Sequence, residues 1–207
     1  MVRGYLNFNQ LENKKDIEKL RSIVKQLYKE RLNPKLTYHG FHHVLDVLNA
    51  CNAHINRESI KQGEADLLRT AALLHDTGVL WTYTNHETRG IKYARTLLPT
   101  LGYEKSEIDT ICDLIRATEL PQSPKNTLEE IICDADLDYL GTNSFYTIGE
   151  TLFKEFIAYK VVKNEEEWDK LQVNFLENHH YFTDFCKENR EPKKQIRIKE
   201  IKAKWGW

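Results

Sequence analysis

Apolar residues recur along this chain at intervals of three and four, which is the spacing that places them on one face of an α-helix. The pattern is clearest in the segments 17–27, 44–51 and 108–115. Strict alternation of apolar and polar residues, which is typical of a half-buried strand, is hard to find. The sequence therefore predicts an all-α fold, with about eight to ten helices at the usual helix length.

Residues that favour helix ends divide the chain into these segments. Ser106, Thr127 and Asn164 each have an acid three positions later, and this capping-box pattern predicts helix starts. Gly102 and Gly141 follow periodic segments and predict helix ends. Because no Gly/Ser-rich or Pro-rich linker interrupts the pattern, we expect residues 1–207 to form a single domain.

The composition excludes several classes of partner. With 30 basic and 31 acidic residues the net charge is -1, so no overall charge attracts a nucleic-acid polymer or a membrane surface. No apolar stretch approaches the ~20 residues needed to cross a bilayer. The four cysteines form no C-x-x-C pair, and the N-terminus lacks the apolar core of a signal peptide. We therefore expect buried free thiols and a cytoplasmic location.

Histidine and aspartate are concentrated in two segments with helical apolar patterns. His39 and His43 are four residues apart, so they share a face if one helix includes both. His75 and Asp76 end an alanine- and leucine-rich helix immediately before Gly78. Burying an unpaired aspartate beside apolar neighbours is costly, and a metal ion is one of the few partners that offsets the cost.

A third segment, residues 131–141, carries three carboxylates that alternate with apolar residues. They belong to Asp134, Asp136 and Asp138, and not all three can face the core, so we expect one or two of them to be functional. Two imidazoles and two carboxylates, with positions left for water, suit a hydrolytic or redox divalent metal better than a structural zinc.

The order of these motifs resembles the HD superfamily of metal-dependent phosphohydrolases. The likeness rests on Tyr-His-x-x-x-His at 38–43, Leu-Leu-His-Asp-Thr-Gly at 73–78 and Asp-Ala-Asp-Leu-Asp-Tyr-Leu-Gly at 134–141. It covers roughly residues 35 to 160, and it implies an all-α helical bundle with a metal site between the central helices. Residues 161–207 are then expected to form C-terminal helices packed on this core.

The resemblance also implies a ligand set. His43 matches the first metal ligand, His75 and Asp76 match the pair that names the family, and Asp136 matches the last ligand, with Asp134 as the alternative. The expected cofactor is a divalent ion (Mn, Mg, Zn, Ni, Co or Fe), with one or two ions per chain.

Further residues match catalytic and substrate-binding positions of related proteins. His39 resembles a general acid of the cyclic-nucleotide phosphodiesterase branch, with a positioning role as the alternative, and Asp76 could orient the attacking water. His86 resembles a histidine that joins a second metal or contacts phosphate, and a structural role is weighed evenly against this. Arg89 and Arg116 could bind phosphate through a bidentate fork, although a surface ion pair is the favoured explanation for each.

The activity that the resemblance implies is hydrolysis of a phosphomonoester or phosphodiester of a small substrate, expected to be a nucleotide. Two alternatives stay open, a di-iron oxygenase with an HD-type ligand set and a metal-containing module that binds a nucleotide without turnover. Similar proteins often form homodimers, but the sequence identifies no interface.

Overall fold

A computed structural model describes residues 15–207, and within this range the protein is all α-helical. Three short 3-10 turns lie at Thr77–Leu80, Leu98–Leu101 and Asp138–Gly141. The α-helices, in chain order, are α1 Ile17–Arg31, α2 Phe41–Arg57, α3 Gln62–Leu74, α4 His86–Leu97, α5 Lys105–Ala117, α6 Thr127–Asp136, α7 Phe145–Ala158, α8 Glu165–Asn178, α9 Asp184–Asn189 and α10 Glu191–Trp205.

The helix starts show how far capping patterns predict boundaries. Asn164 caps α8 as predicted, since its side chain accepts a hydrogen bond from the Glu167 amide. The predictions at Ser106 and Thr127 are wrong by one or two residues. Glu104 caps α5 in a capping box with Glu107, and the Asn126 side chain caps α6. A glutamate or asparagine just upstream can satisfy the same orphan amides.

The helices enclose two hydrophobic cores. The larger core is formed by α1 to α6, with Leu20, Val44, Leu68 and Ile115 among its fully buried members. Helix α2 packs against α3 and α6, so the ends of these three helices come together. The smaller core lies among α7, α8, α9 and α10 and the turn that follows α6. The cavity described below lies between residues of both parts.

The C-terminal helix α10 is docked on the smaller core. Ile198 and Ile201 are buried there, and the Trp205 indole donates a hydrogen bond to Asp169, 2.7 Å away. Its basic face is paired with acids of α8, for example Lys204 with Glu165 and Asp169 at 2.6 Å. Several basic side chains of α10 are therefore paired with acids within the described protein.

Two observations concern the general character of the chain. All four cysteines are buried and free, as the sequence predicted. None of the helices within residues 15–207 combines the length and the apolar character needed to span a membrane.

Candidate metal centre

Four side chains converge where α2, α3 and α6 meet. His43 lies in the first turn of α2, His75 and Asp76 follow the end of α3, and Asp136 is the last residue of α6. Because α3 ends at Leu74, His75 and Asp76 are not held at the ~100° separation of neighbouring helical residues. Both therefore point to the same place. We call these four residues the metal centre.

The local sequence explains why α3 delivers its two polar residues into the interior. The four residues before His75, Ala71–Leu74, are completely buried in the larger core. The His75 ring donates from Nδ1 to the Ala72 carbonyl at 2.8 Å, and the Thr77 hydroxyl donates to the Leu74 carbonyl at 2.8 Å. The bond at Nδ1 fixes the ring and leaves Nε2 as the atom that faces the centre, which is the usual arrangement of a metal-binding histidine.

Gly78 brings the next helix against this turn. A Cβ atom at this position would lie 1.8 Å from the His86 carbonyl oxygen, and at 2.7 Å from the Gly90 amide nitrogen. Only a residue without a side chain permits this approach, and it places His86 at the start of α4. The His86 Nε2 then lies 3.2 Å from Asp76 Oδ1 and 3.3 Å from Glu87 Oε1.

The donor atoms of the centre are spaced like ligands of one ion. His43 Nε2 is 3.0 Å from Asp136 Oδ1, 3.4 Å from His75 Nε2 and 3.4 Å from Asp76 Oδ2. His75 Nε2 is 3.3 Å from Asp76 Oδ2 and 3.5 Å from Asp136 Oδ1. Ligands at about 2.1 Å from an ion are about 3.0 Å apart in an octahedron and about 3.4 Å apart in a tetrahedron.

One oxygen of the centre has only imidazole nitrogens beside it. Asp76 is 4% exposed, and its buried Oδ2 accepts no well-directed hydrogen bond from the described residues; the Nε2 atoms of His75 and His43 lie 3.3 and 3.4 Å away. A cation bound among these atoms would offset the cost of burying the carboxylate. His43, His75 and Asp136 offer donor atoms within 4.8 Å of one another, and with Asp76 beside them they fit a divalent ion.

The electrostatics of the centre are those of tightly coupled charges. Burial by itself lowers the pKa of His75, but Asp76 and Asp136 outweigh it and raise that pKa well above its ordinary value. Burial raises the pKa of Asp136, whereas hydrogen bonds from His43 and His75 outweigh this and bring it to about 2. The carboxylates are thus ionised, and an ion that binds here displaces the proton of the His75 imidazole.

A second cluster lies beside the centre and is built around a residue that the sequence analysis missed. Glu155 of α7 is fully buried and accepts hydrogen bonds from the amides of Tyr38 and His39, at 2.9 and 3.2 Å, and from the His39 ring at Nδ1. His39 precedes α2, which begins at Phe41, so it does not share a helical face with His43. The two ring centroids are nevertheless 6.3 Å apart. The sequence signal for Glu155 is weak, because α7 also carries Glu150 and Lys154 on an otherwise apolar helix.

The metal centre forms one end of a cavity of about 160 Å³, which we call the apolar chamber. Tyr38, His39, His43, Asp76, His86 and Asp136 lie at this end. The remaining walls include Leu120, Leu140, Leu152, Phe156, Trp168, Phe175 and the amide of Gln172.

The other residues singled out from the sequence lie elsewhere. Both carboxylate oxygens of Asp134 accept hydrogen bonds from residues 182 and 183, at 2.7 to 2.9 Å. The Arg116 guanidinium pairs with Asp113 at 2.6 Å on the exterior. The Arg89 guanidinium lies 4.7 Å from the centre of the Trp81 ring. None of these three lines the apolar chamber.

A third polar cluster lies where the two cores meet, and we call it the C-terminal junction. It consists of Asp134, His54, Cys186, His179 and Lys194. His54 lies between Glu58, 2.8 Å away, and the Cys186 sulfur, 3.6 Å away. The ammonium of the fully buried Lys194 donates to the His179 carbonyl and contacts the His179 ring and Glu191.

Fold and site together define an all-α protein with a buried His/Asp centre suited to a divalent metal. The family model of the HD domain matches residues 40–138, which include all four residues of the metal centre. Residues 40–138 therefore match the HD domain, which supports the HD superfamily of metal-dependent hydrolases. A search of curated protein sequences found no match.

Three solved structures share the fold. A predicted HD superfamily hydrolase from an uncultured Thermotogales bacterium is 21% identical, with a TM-score of 0.60, 97% of this chain covered and 99% of the other. YpgQ of Bacillus subtilis, in complex with ADP, is 16% identical, with a TM-score of 0.60 and coverage of 91% and 97%. A protein of Lactobacillus plantarum is 15% identical, with a TM-score of 0.62 and coverage of 91% and 98%.

Proposed function

We propose that this protein is a metal-dependent phosphohydrolase that cleaves a phosphomonoester or phosphodiester of a small substrate, in the class of nucleotides. The observation that carries the proposal is the group of donor atoms of His43, His75 and Asp136, 3.0 to 3.5 Å apart at the end of a cavity, with Asp76 Oδ2 within 3.4 Å of both imidazoles. The ADP complex of YpgQ, which shares the fold, supports a nucleotide ligand. The free buried thiols fit the proposed cytoplasmic location.

His43, His75, Asp76 and Asp136 would hold one divalent ion, and His86 with Glu87 would lie next to it. When bound, such an ion lowers the pKa of a coordinated water and polarises a phosphoryl oxygen, which provides a nucleophile near neutral pH. Asp76 has one oxygen toward the imidazoles of the centre and the other toward His86. It can therefore ligate and also orient an attacking water.

His39 is placed to protonate the leaving oxygen. Glu155 faces its Nδ1, so Nε2 is the ring atom that remains for the substrate. The His39 ring lies 5.6 Å from the His86 ring, and both rings line the same end of the chamber. A carboxylate that holds an imidazole in one tautomer is a common means of positioning a general acid.

The test is metal analysis together with hydrolysis of a panel of phosphate esters, with each divalent ion added in turn. The ligand variants are His43→Gln and Asp76→Asn. The matched control is His42→Gln, because His42 is the adjacent histidine on α2 and is exposed, with its ring over Gly40. We expect wild type and the control to bind metal and release phosphate or nucleotide, and both ligand variants to do neither.

Equal metal content in all four proteins would contradict the ligand assignment. Metal lost from the two ligand variants, without hydrolysis of any ester by wild type, would instead favour the nucleotide-binding module. Bound iron with an oxygen-dependent spectrum would favour the oxygenase.

A further inference from the structure

Apart from the histidines at its metal end, the walls of the apolar chamber contain no cationic side chain among the described residues that could neutralise a second phosphate. Within residues 15–207, neither a lysine nor an arginine lines it. The charged groups of its lining lie at the metal end, where Asp76, Glu87 and Asp136 are acidic. A further phosphate moved into the chamber would lose its hydration without gaining a charged hydrogen-bond donor.

The same walls favour an uncharged ring. Phe156 and Trp168 meet edge to face, with centroids 5.6 Å apart at 88°. Leu120, Leu152 and Phe175 add apolar surface. The cavity of about 160 Å³ is close in size to the cavity of about 150 Å³ that binds benzene in an apolar protein interior.

Gln172 supplies one polar contact in this apolar surface. The residue is 7% exposed and lines the chamber. A ligand that places one donor or acceptor near Gln172 could hydrogen bond to its amide.

Resting on the phosphohydrolase function proposed above, we propose that the substrate carries a single phosphate on an uncharged, largely apolar ring-sized group, and that polyphosphates are selected against. The phosphate meets the metal centre, and the ring lies against the apolar walls that include Phe156 and Trp168, near Gln172. A monophosphate of an aromatic or heterocyclic compound meets these conditions, whereas the polyphosphate of the same compound does not.

Two substrate series test this proposal, each varying one property. Methyl phosphate and benzyl phosphate have the same charge and alcohols of similar acidity, and differ in the apolar group. AMP, ADP and ATP share the nucleoside and differ in the number of phosphates, and the free metal concentration is kept constant. We expect kcat/KM to be at least about tenfold higher for benzyl phosphate than for methyl phosphate. This factor corresponds to the lower end of the free energy gained by burying an apolar ring. We also expect kcat/KM to fall from AMP to ATP.

Binding is measured separately from turnover, by calorimetry on the metal-loaded protein. Benzylphosphonate should bind at least about tenfold more tightly than methylphosphonate, from the same apolar burial. Equal binding of the two phosphonates would overturn the proposal even if no ester is hydrolysed. Hydrolysis with ATP preferred to AMP would overturn it while leaving the phosphohydrolase function intact.

A charge introduced at the chamber sharpens the test. Leu120 lines the chamber and is 55% exposed, so Leu120→Arg adds a cation without burying it. The matched control is Leu32→Arg, since Leu32 is 37% exposed and does not line the chamber. We expect the ratio of kcat/KM for ATP over AMP to rise in Leu120→Arg alone. No change in that ratio would contradict the charge argument.

Discussion

The metal centre and the C-terminal junction both bury histidine and acidic side chains, yet they differ in what those side chains contact. At the junction, Asp134 accepts three hydrogen bonds and His54 lies between Glu58 and Cys186. At the metal centre the polar atoms face each other, and Asp76 Oδ2 accepts nothing from the described residues. Burial of ionisable groups is therefore common to structural and functional clusters. The unsatisfied oxygen distinguishes the centre.

The C-terminal junction also contains one buried polar atom without a hydrogen-bond partner in the described part of the chain. The Nδ1 of His179 lies 3.3 Å from the Lys194 ammonium, but its Nε2 is buried with no partner among residues 15–207. Burial, with Lys194 as a second cause, lowers the pKa of His179 to about 3. This histidine is thus neutral in the folded protein over the physiological range, unlike His75.

The largest expected effect separates two aspartates that are two residues apart. Asp136→Asn should abolish metal binding and reduce hydrolysis by more than the roughly 10–100-fold seen when only a supporting residue of a metal site is lost. Asp134→Asn should keep metal and activity but lower the free energy of unfolding by about 1–3 kcal/mol, because a buried donor at residue 182 or 183 loses its acceptor. Metal analysis and thermal unfolding of both variants measure this.

If Asp134→Asn lost the metal and Asp136→Asn kept it, Asp134 would be the metal ligand. The assignment of Asp136 to the metal centre and of Asp134 to the C-terminal junction would then be wrong.

The next effect concerns the His39–Glu155 pair. His39→Gln should retain the metal but lower kcat by about a hundredfold, the lower range for loss of a general acid, for substrates with a poor leaving group. With p-nitrophenyl phosphate, whose leaving group needs little protonation, the loss should be much smaller. An equal loss for both kinds of substrate would assign His39 a positioning role instead.

A third effect is on stability. Addition of the preferred ion at a hundred times its dissociation constant should raise the free energy of unfolding by about 2.7 kcal/mol through mass action. His43→Gln should show no such gain, whereas His42→Gln should show all of it. The unfolding temperature with and without ion is the measurement. A gain in His43→Gln would place the ion elsewhere.

The fourth effect is pH-dependent and belongs to the junction. The pKa of His179 is about 3 in the folded protein and about 6.5 in an unfolded chain. Between these values the unfolded chain binds a proton that the folded protein does not, so the free energy of unfolding falls as the pH falls. His179→Gln should reduce the change of the free energy of unfolding with pH. The range to measure runs from about pH 6.5, the ordinary histidine pKa, down to about pH 4.

Chemical unfolding at several pH values tests the point, with His180→Gln as the control because His180 is the exposed neighbour. An unchanged slope in His179→Gln would show that other groups determine the acid sensitivity.

The smallest effect is expected at a residue that belongs to neither cluster. Arg116→Gln removes an exposed ion pair with Asp113, and such pairs contribute about 0–1 kcal/mol. Stability and KM should both remain close to wild type. A large rise in KM would restore the phosphate-binding role that the sequence suggested for this arginine.

Local patterns in the sequence predicted the fold well because helical periodicity is a local property. The segments 17–27, 44–51 and 108–115 were expected as helices, and they lie within α1, α2 and α5. Helix boundaries were less certain, because any nearby polar side chain can cap a helix. The HD motifs named the residues that converge at the metal centre, since each motif keeps its ligands close together in the chain.

The contributions of Glu155 and Gln172 could not be predicted in the same way. Glu155 contacts His39 across 116 residues, and Gln172 meets the other walls of the chamber only through the packing of α8. Nor does the local pattern distinguish Asp134 from Asp136, because the contact that occupies Asp134 comes from residues 182 and 183. Such assignments depend on how α7 and the segment after α8 pack, which no local rule gives.

Gly78 has a consequence for how this protein tolerates change. The approach of the His86 carbonyl to this glycine joins two stretches of backbone, so the position of His86 relative to Asp76 is set by main-chain contact rather than by interchangeable core side chains. In a library that samples every substitution at every position, Gly78 should accept as few replacements as the metal centre itself, although it offers no ligand atom. Core residues such as Leu68 should accept other apolar residues of similar volume. A protein engineer who wishes to graft this centre onto another bundle would have to transfer the glycine together with the ligands.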